Sequence, residues 1–249
     1  MGFKYFILGF VQGITEFLPV SSSGHLLLLS DIFNIEGDII FLSVVAHLGT
    51  LLSVLICMRK QVRYSFKNPF CETNKMLVVA TLPCVFFVLF FNDLVDKLYS
   101  IYFLIAGFLI TGILLIIADI IKPKNEVFSY KHALIMGLMQ GVAILPGISR
   151  SGSTMAVGMM SGAEKKEACD FTFLMSIPII IASAVFESLE MFKTGFNFEL
   201  MPAIIVFISS FIFGVLSIKL MLKILKSNKL YLFSIYLLIL SIITFFVAV

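Results

Sequence analysis

Six stretches of this chain are apolar enough and long enough to cross a lipid bilayer as helices. One crossing needs about 20 predominantly apolar residues. Of the 249 residues, 60% are hydrophobic and 13% are charged, whereas soluble domains carry about 25% charged residues. This composition excludes a water-soluble domain, and a net charge of +3 does not indicate nucleic-acid binding. The chain is therefore predicted to be an all-α multi-pass membrane protein with spans at 39–58, 76–92, 98–121, 171–191, 201–225 and 230–249.

Two further apolar regions, 2–35 and 132–163, are interrupted near their middle by polar segments that contain Pro and Gly. We name these segments the first loop (Glu16–His25) and the second loop (Pro146–Thr154). Non-helical backbone at membrane depth is tolerated only where it is buried in protein or lines a wet cavity. Both regions are therefore predicted to be re-entrant helix–loop–helix hairpins. The alternative is a plain eight-span bundle with two kinked helices.

The two hairpins are related in sequence, because one constant offset aligns several of their residues. Each hairpin is also followed by three spans, so the 1–249 membrane domain divides into a first repeat (1–121) and a second repeat (122–249). The offset aligns Gln12 with Gln140, Gly13 with Gly141, Ser21 with Ser149, Ser23 with Ser151, and Gly24 with Gly152.

Basic residues concentrate in alternate connections, at 59–75, 122–131 and 219–229, which predicts that these segments are cytoplasmic. The first hairpin then enters the membrane from outside and the second from the cytoplasm. This is the plan of an inverted-topology repeat, in which broken helices build a binding site near the bilayer midplane.

Ionisable groups inside a membrane are candidates for function because they are costly to bury there. Gln12 and Glu16 are four residues apart and share one helix face. Glu16 is predicted to hold a divalent cation, which binds through few carboxylates and the substrate phosphates. His25 is a candidate general acid or base. The nucleophile is either a hydroxyl among Ser21–Ser23 or a metal-bound water, and the sequence leaves both open.

Each loop also opens a second half-helix whose first residues suit an anion. Hydroxyl residues favour the N-cap position, and free N–H groups at a helix start bind phosphate. In the second loop, Arg150 adds a planar set of donors suited to bidentate phosphate binding. This inventory predicts phosphoryl transfer, where catalysis is mostly positioning and charge stabilisation.

The first loop with its preceding turn, Gln12–His25, resembles the first signature of the undecaprenyl-diphosphatase family, also called bacitracin-resistance proteins. Pro146–Thr154 resembles the second signature. The resemblance implies a bacterial inner-membrane enzyme that hydrolyses undecaprenyl diphosphate to the monophosphate and inorganic phosphate, which recycles the lipid carrier for cell-wall synthesis. It also implies Mg²⁺ or Ca²⁺ as the metal and a site open to the outer face.

The resemblance further implies that Glu16, His25 and Arg150 are essential. Gln12 stands where many relatives carry Glu, which leaves Glu16 as the only carboxylate of this region. The predicted catalytic residues are Glu16, His25, Arg150 and Ser22, the predicted metal ligands are Glu16 and Gln12, and the predicted substrate contacts are Ser21, Ser23, Gly24, Ser149, Ser151, Gly152 and Thr154.

A secondary transporter or lipid flippase for an anionic substrate is the rival hypothesis, because inverted repeats with broken helices are also a transporter plan and a fold does not determine function. The predicted partners are a prenyl diphosphate and membrane lipid, with no nucleic acid, and the oligomeric state stays open.

Overall fold

The computed structural model describes residues 2–33, 39–97, 100–121, 126–194 and 199–248. Regular structure within these ranges is helical, apart from one isolated bridge between Glu126 and Ala163. This confirms the all-α prediction. The helices are α1 (Gly2–Phe17), α2 (Ser22–Phe33), α3 (Ile39–Cys57), α4 (Arg59–Lys67), α5 (Glu72–Lys97), α6 (Ile101–Ile120), α7 (Tyr130–Val142), α8 (Arg150–Met160), α9 (Lys165–Thr194), α10 (Leu200–Lys226) and α11 (Tyr231–Ala248).

Five of these helices (α3, α5, α6, α9 and α10) are long and apolar enough to cross a membrane, and α11 carries a shorter apolar stretch at Tyr231–Phe246. The protein is thus a multi-pass membrane protein. Two spans begin earlier than the hydropathy pattern predicts. Helix α5 starts at Glu72 and α9 at Lys165, because polar residues can extend a helix beyond the apolar stretch that defines the span.

The basic connection after the first span was predicted as a loop, but its first part is the short helix α4. Four of the nine residues of α4 are Lys or Arg, none is acidic, and none is buried. Periodicity over so few residues gives a weak signal, which explains why the hydropathy pattern missed this helix. Of the other predicted loops, 122–125 and 195–198 lie outside the described residues.

Both interrupted regions form two helices joined by a loop, α1–α2 and α7–α8. In the second pair, the backbone N–H of Glu126, before α7, donates to the carbonyl of Gly162, after α8, at 3.1 Å. The start of α7 and the end of α8 therefore lie side by side, as in a hairpin.

The largest buried cluster surrounds the two loops. Phe17, at the end of α1, packs edge-on against Phe173 of α9, with ring centroids 5.7 Å apart. Phe108 of α6 and Met155 of α8 belong to the same cluster. Burial of these side chains fixes the helices that carry the loops, because a close-packed interior leaves few alternative positions.

Candidate functional site

The first and second loops touch each other. The hydroxyl of Ser151 donates to the carbonyl of Leu18 at 3.1 Å. Gly152 lies against Pro19 so closely that an added Cβ would be 2.7 Å from the Pro19 Cβ. Only glycine leaves room for this approach. Ser151 and Leu18 are 133 positions apart in the chain, so the contact joins two distant parts of the sequence.

Glu16 is the centre of the site. Its carboxylate is buried, and Oε1 forms an ion pair with the Arg150 guanidinium. The other oxygen, Oε2, accepts a hydrogen bond from the Ser22 hydroxyl at 2.6 Å and one from Gln12 Nε2 at 3.1 Å. A buried carboxylate is tolerated when it is paired and hydrogen-bonded in this way. The site therefore joins an acid, a guanidinium and a hydroxyl from both hairpins.

His47 of α3 also belongs to this network and lines the cavity, although the sequence pattern did not mark it as a site residue. Its Nδ1 lies 2.9 Å from Gln12 Nε2. An amide nitrogen only donates, so Nδ1 accepts and the hydrogen of the neutral ring sits on Nε2. The one available signal was an ionisable residue within an apolar span. That signal does not show which way the ring faces.

The second loop is held in place for the start of α8. Ser149 is the N-cap, and its hydroxyl accepts from the N–H of Gly152 at 3.1 Å. Its own N–H donates to the Thr111 hydroxyl of α6 at 3.0 Å. The Thr154 hydroxyl donates to the carbonyl of Arg150 at 2.7 Å. These bonds position the backbone of Arg150 at the first turn of α8.

The first loop carries backbone strain at Ser21, whose φ is +69°. A non-glycine residue in the left-handed region costs on the order of 1–2 kcal/mol. The Ser21 hydroxyl accepts from the N–H of Gly24 at 3.4 Å, and its carbonyl accepts from His25 Nδ1 at 2.8 Å. These two bonds hold the turn that places Ser22 at the start of α2.

A cavity of about 420 Å³ opens beside Glu16. One end is polar, with Ser22, Ser23, Ser149, Arg150 and Ser151, together with Glu16, His47 and Gln140. The remaining wall comes mainly from α5, α9 and the segment that joins α7 to α8, and it is largely apolar apart from Ser183 and Glu187 of α9. Its members include Val85, Val88, Leu89, Ile144, Ile179 and Phe186. This division into polar end and apolar wall suits a ligand with a charged head and a hydrocarbon tail.

His25 lies outside this cavity. Since the Ser21 carbonyl can only accept, Nδ1 of His25 carries the hydrogen, and Nε2 of the neutral ring accepts from the Tyr236 hydroxyl of α11 at 2.5 Å. The ring stacks on Tyr236 with centroids 5.7 Å apart. Both ring nitrogens are therefore engaged by groups that do not line the cavity.

The structure thus brings six of the predicted site residues to one cavity and places the others behind it. Gln12 contacts Glu16 without lining the cavity, and Ser21, Gly24, His25, Gly152 and Thr154 hold the loops. The roles predicted for all twelve site residues remain predictions. The six that line the cavity are Glu16, Ser22, Ser23, Ser149, Arg150 and Ser151.

The described residues do not form an all-protein cage for a divalent cation. Among the described residues, no group of three or more His, Cys, Asp and Glu side chains is placed to hold a metal ion. The two Glu16 oxygens already take Arg150, Ser22 and Gln12. Gln12 Oε1 is buried without a hydrogen-bond partner among the described residues, but Gln12 does not line the cavity. No catalytic step is therefore assigned to a metal ion.

Fold and site together define a multi-pass membrane protein in which two helix–loop–helix units meet at a cavity that contains a buried Glu16–Arg150 ion pair. The model of the family "Bacitracin resistance protein BacA" matches residues 5–243. The chain belongs to this family.

Curated relatives carry a consistent name over nearly the full length. The undecaprenyl-diphosphatase of Carboxydothermus hydrogenoformans is 38% identical over 247 residues, which cover 96% of this chain and 95% of the relative. The undecaprenyl-diphosphatase of Thermosipho africanus is 35% identical over 253 residues, which cover 98% of this chain and 99% of the relative. Undecaprenyl-diphosphatase 4 of Bacillus cereus is 36% identical over 238 residues, which cover 93% of this chain and 91% of the relative.

Proposed function

We propose that this chain is an integral-membrane phosphatase that hydrolyses undecaprenyl diphosphate to undecaprenyl phosphate and inorganic phosphate, and so recycles the lipid carrier for cell-wall synthesis. The family and the names of its relatives support this function. The observation that carries it is the contact of Glu16 with both Arg150 and Ser22 at the polar end of the cavity. The description of the family also associates it with bacitracin resistance.

Phosphate release by the purified protein in detergent, with a prenyl diphosphate as substrate, tests the function directly. A transporter or flippase would bind or move the lipid without releasing phosphate. Release that depends on substrate supports the phosphatase, and binding without release supports the rival.

Substrate binding is proposed to rearrange the Glu16–Arg150 ion pair. In the substrate-free protein the two charges neutralise each other. A diphosphate carries more negative charge than one carboxylate and offers a guanidinium a bidentate partner. Arg150 would turn from Glu16 to the diphosphate, assisted by the N–H groups at the start of α8. Glu16 would then keep Ser22 as its close partner and gain the capacity to accept a proton.

The hydroxyl of Ser22 is the nucleophile in this proposal, because it alone among the serines of the first loop donates to Glu16. Its oxygen attacks the terminal phosphorus, its proton passes to Glu16, and the bridging P–O bond breaks. The leaving prenyl phosphate keeps the bond electrons and takes the proton from Glu16, which becomes a carboxylate again. Water then hydrolyses the phosphoserine, with Glu16 as base, and releases inorganic phosphate. Arg150 stabilises the charge on the transferred group.

His25 is proposed to position Ser22 through the backbone of Ser21, instead of moving a proton. Its ring joins the Ser21 carbonyl to the Tyr236 hydroxyl. This connection holds the strained turn before α2 through groups that do not line the cavity. A strained backbone conformation persists only where its surroundings hold it.

Tyr236→Phe is therefore expected to lower kcat about threefold to tenfold with little change in KM, because one hydrogen bond is worth about 0.5–1.5 kcal/mol and about 1.4 kcal/mol is a factor of ten in rate. Steady-state phosphate release measures this. Tyr231→Phe on the same helix is the matched control and should behave as wild type. An unchanged kcat in Tyr236→Phe would contradict the positioning role.

A divalent cation, Mg²⁺ or Ca²⁺, is proposed to arrive with the diphosphate as its counter-ion, since Mg²⁺ usually binds through one or two carboxylates plus substrate phosphates. We expect EDTA to reduce phosphate release at least about tenfold. Adding Mg²⁺ to the substrate-free protein should leave its Tm unchanged. A rise in Tm with Mg²⁺ alone, abolished in Glu16→Gln, would instead show a resident site.

The inverted repeat is also a proposal, with a first repeat at 1–121 and a second at 122–249. In support, the first helix of each hairpin runs parallel to a span of the other repeat. Along α1, Gly2 lies against Ile205 and the carbonyl of Gly13 accepts from Ser217, both on α10. Along α7, Tyr130 donates to Glu72 at 2.6 Å and Gly137 lies against Ala80, both on α5.

These pairings also support opposite entry of the two hairpins. Lys165 before the α9 span lies 3.5 Å from Asp119 at the end of α6 and donates to Asn228 after α10 at 2.9 Å. Glu126, before α7, bonds to Gly162, three residues before α9. The starts of α7 and α9 and the end of α10 therefore share one side, which the basic residues predict to be cytoplasmic. Helix α1 starts beside the other end of α10. We propose six spans, two re-entrant hairpins, a bacterial inner-membrane location and a site open to the outer face.

A further inference from the structure

One buried polar group in the cavity has no function in the mechanism above. Gln140, near the end of α7, lines the same cavity as Arg150 and is only 2% exposed. Its Nε2 has no hydrogen-bond partner among the described residues. Buried polar groups are almost always hydrogen-bonded, and an unsatisfied one destabilises the protein. An unpartnered donor at a cavity wall therefore points to a ligand that supplies the acceptor.

The first hairpin shows why this amide lacks a partner. There, Gln12 Nε2 donates to the carboxylate of Glu16, four residues further along the chain. Four residues after Gln140 the chain has Ile144, which also lines the cavity. The second hairpin thus repeats the amide and replaces its acceptor with an apolar side chain. The donor hydrogens of Gln140 stay available to the contents of the cavity.

We propose that Gln140 is a diphosphate-binding residue, whose Nε2–H donates to a non-bridging oxygen of the bound diphosphate. The inference rests on the proposed function, because the ligand is the substrate of that reaction. A further carboxylate at position 144 would repel an anionic headgroup, whereas a neutral amide attracts it. Gln140 on α7 adds a hydrogen-bond donor to those of Arg150 on α8. A diphosphate has more oxygens that accept hydrogen bonds than a single phosphoryl group has, so it requires more donors.

The test compares Gln140→Met, which removes the amide at nearly constant length, with wild type. Hydrogen bonds to charged groups contribute about 1.5–3 kcal/mol, so KM for the prenyl diphosphate is expected to rise about tenfold to a hundredfold. Because the bond is made in both the ground state and the transition state, kcat should stay close to wild type. The Tm of the substrate-free variant should equal or exceed that of wild type, since an unsatisfied donor has been removed.

Inorganic pyrophosphate provides a readout that needs no turnover. It should raise the Tm of wild type and raise that of Gln140→Met much less. Thr244→Val is the matched control, because the Thr244 hydroxyl is also buried without a partner among the described residues but does not line the cavity. It should keep the wild-type KM and the wild-type response to pyrophosphate.

Gln140→Glu keeps the shape of the side chain and serves if the Met variant does not fold. Its carboxylate should repel the diphosphate and raise KM at least as much. A KM within about twofold of wild type in these variants, or a wild-type protein that pyrophosphate does not stabilise, would overturn the assignment of Gln140. If wild type binds pyrophosphate but releases no phosphate from the lipid, the proposed function is contradicted. The role of Gln140 is then decided by the difference between wild type and Gln140→Met in the Tm response to pyrophosphate.

Discussion

Replacing Arg150 with alanine is expected to abolish phosphate release from a prenyl diphosphate, with kcat/KM falling at least about a thousandfold, the loss typical of an arginine that stabilises phosphoryl transfer. The guanidinium is the only cationic side chain seen at the Glu16 carboxylate among the described residues, apart from His47 when protonated. Without it, the ground-state diphosphate and the transition state both lose their guanidinium partner. Release of inorganic phosphate in detergent measures the effect.

A loss of folding must be separated from this loss of chemistry. Arg150→Ala leaves Glu16 buried without its ion partner, and breaking a buried pair on one side costs about 3–5 kcal/mol. The double variant Glu16→Gln/Arg150→Met removes both charges, so it should regain much of the Tm and stay inactive. Near-normal turnover in Arg150→Ala or in Glu16→Ala would contradict the proposed mechanism.

Ser22→Ala is expected to lower kcat about 10⁴-fold or more, as removal of a covalent nucleophile does in other hydrolases. Glu16 keeps Arg150 and Gln12 as partners when the Ser22 hydroxyl is lost, so the fold should tolerate the change with a modest loss of Tm. Ser23→Ala is the matched control from the same loop. Its side chain lines the cavity but has no bond to Glu16, and we expect a far smaller effect.

A phosphoserine intermediate distinguishes Ser22 from a water nucleophile. Acid quenching during turnover, followed by mass spectrometry, should detect a phosphorylated peptide that contains Ser22. Substantial turnover by Ser22→Ala without any such peptide would show that water attacks the diphosphate directly.

Membrane class and helix content were predictable because both depend on local, additive properties of the chain. The cost of placing each residue in lipid sums along a stretch, so the spans follow from hydropathy. The loops were predictable for a related reason, since Pro, Gly and Ser between short apolar halves break a helix. The polar first turn of α9, which begins at Lys165, was not predicted. Hydropathy detects only the apolar part of a helix and not the polar turns at its ends.

The histidines show where local reasoning stops. His25 was predicted to be a general acid or base because an imidazole can gain or lose a proton near neutral pH, and nothing in the sequence indicated that its ring bonds to Tyr236, 211 residues away. His47 stands in an otherwise apolar span, and its ring meets Gln12, 35 residues away. A side chain's direction depends on the packing of whole helices against one another. No spacing in the chain encodes that packing.

The amino-acid order by itself determined that this chain lies in lipid, that two of its helical regions are broken, and that Glu16 and Arg150 belong to the broken parts. Tertiary structure decided which groups meet: that Arg150 pairs with Glu16, that Ser22 is the serine in contact with it, and that Gln140 faces the cavity without a partner. The reason is physical. Transfer into lipid is a property of each residue, whereas a hydrogen bond requires two atoms at one place, and only the packed helices bring them there.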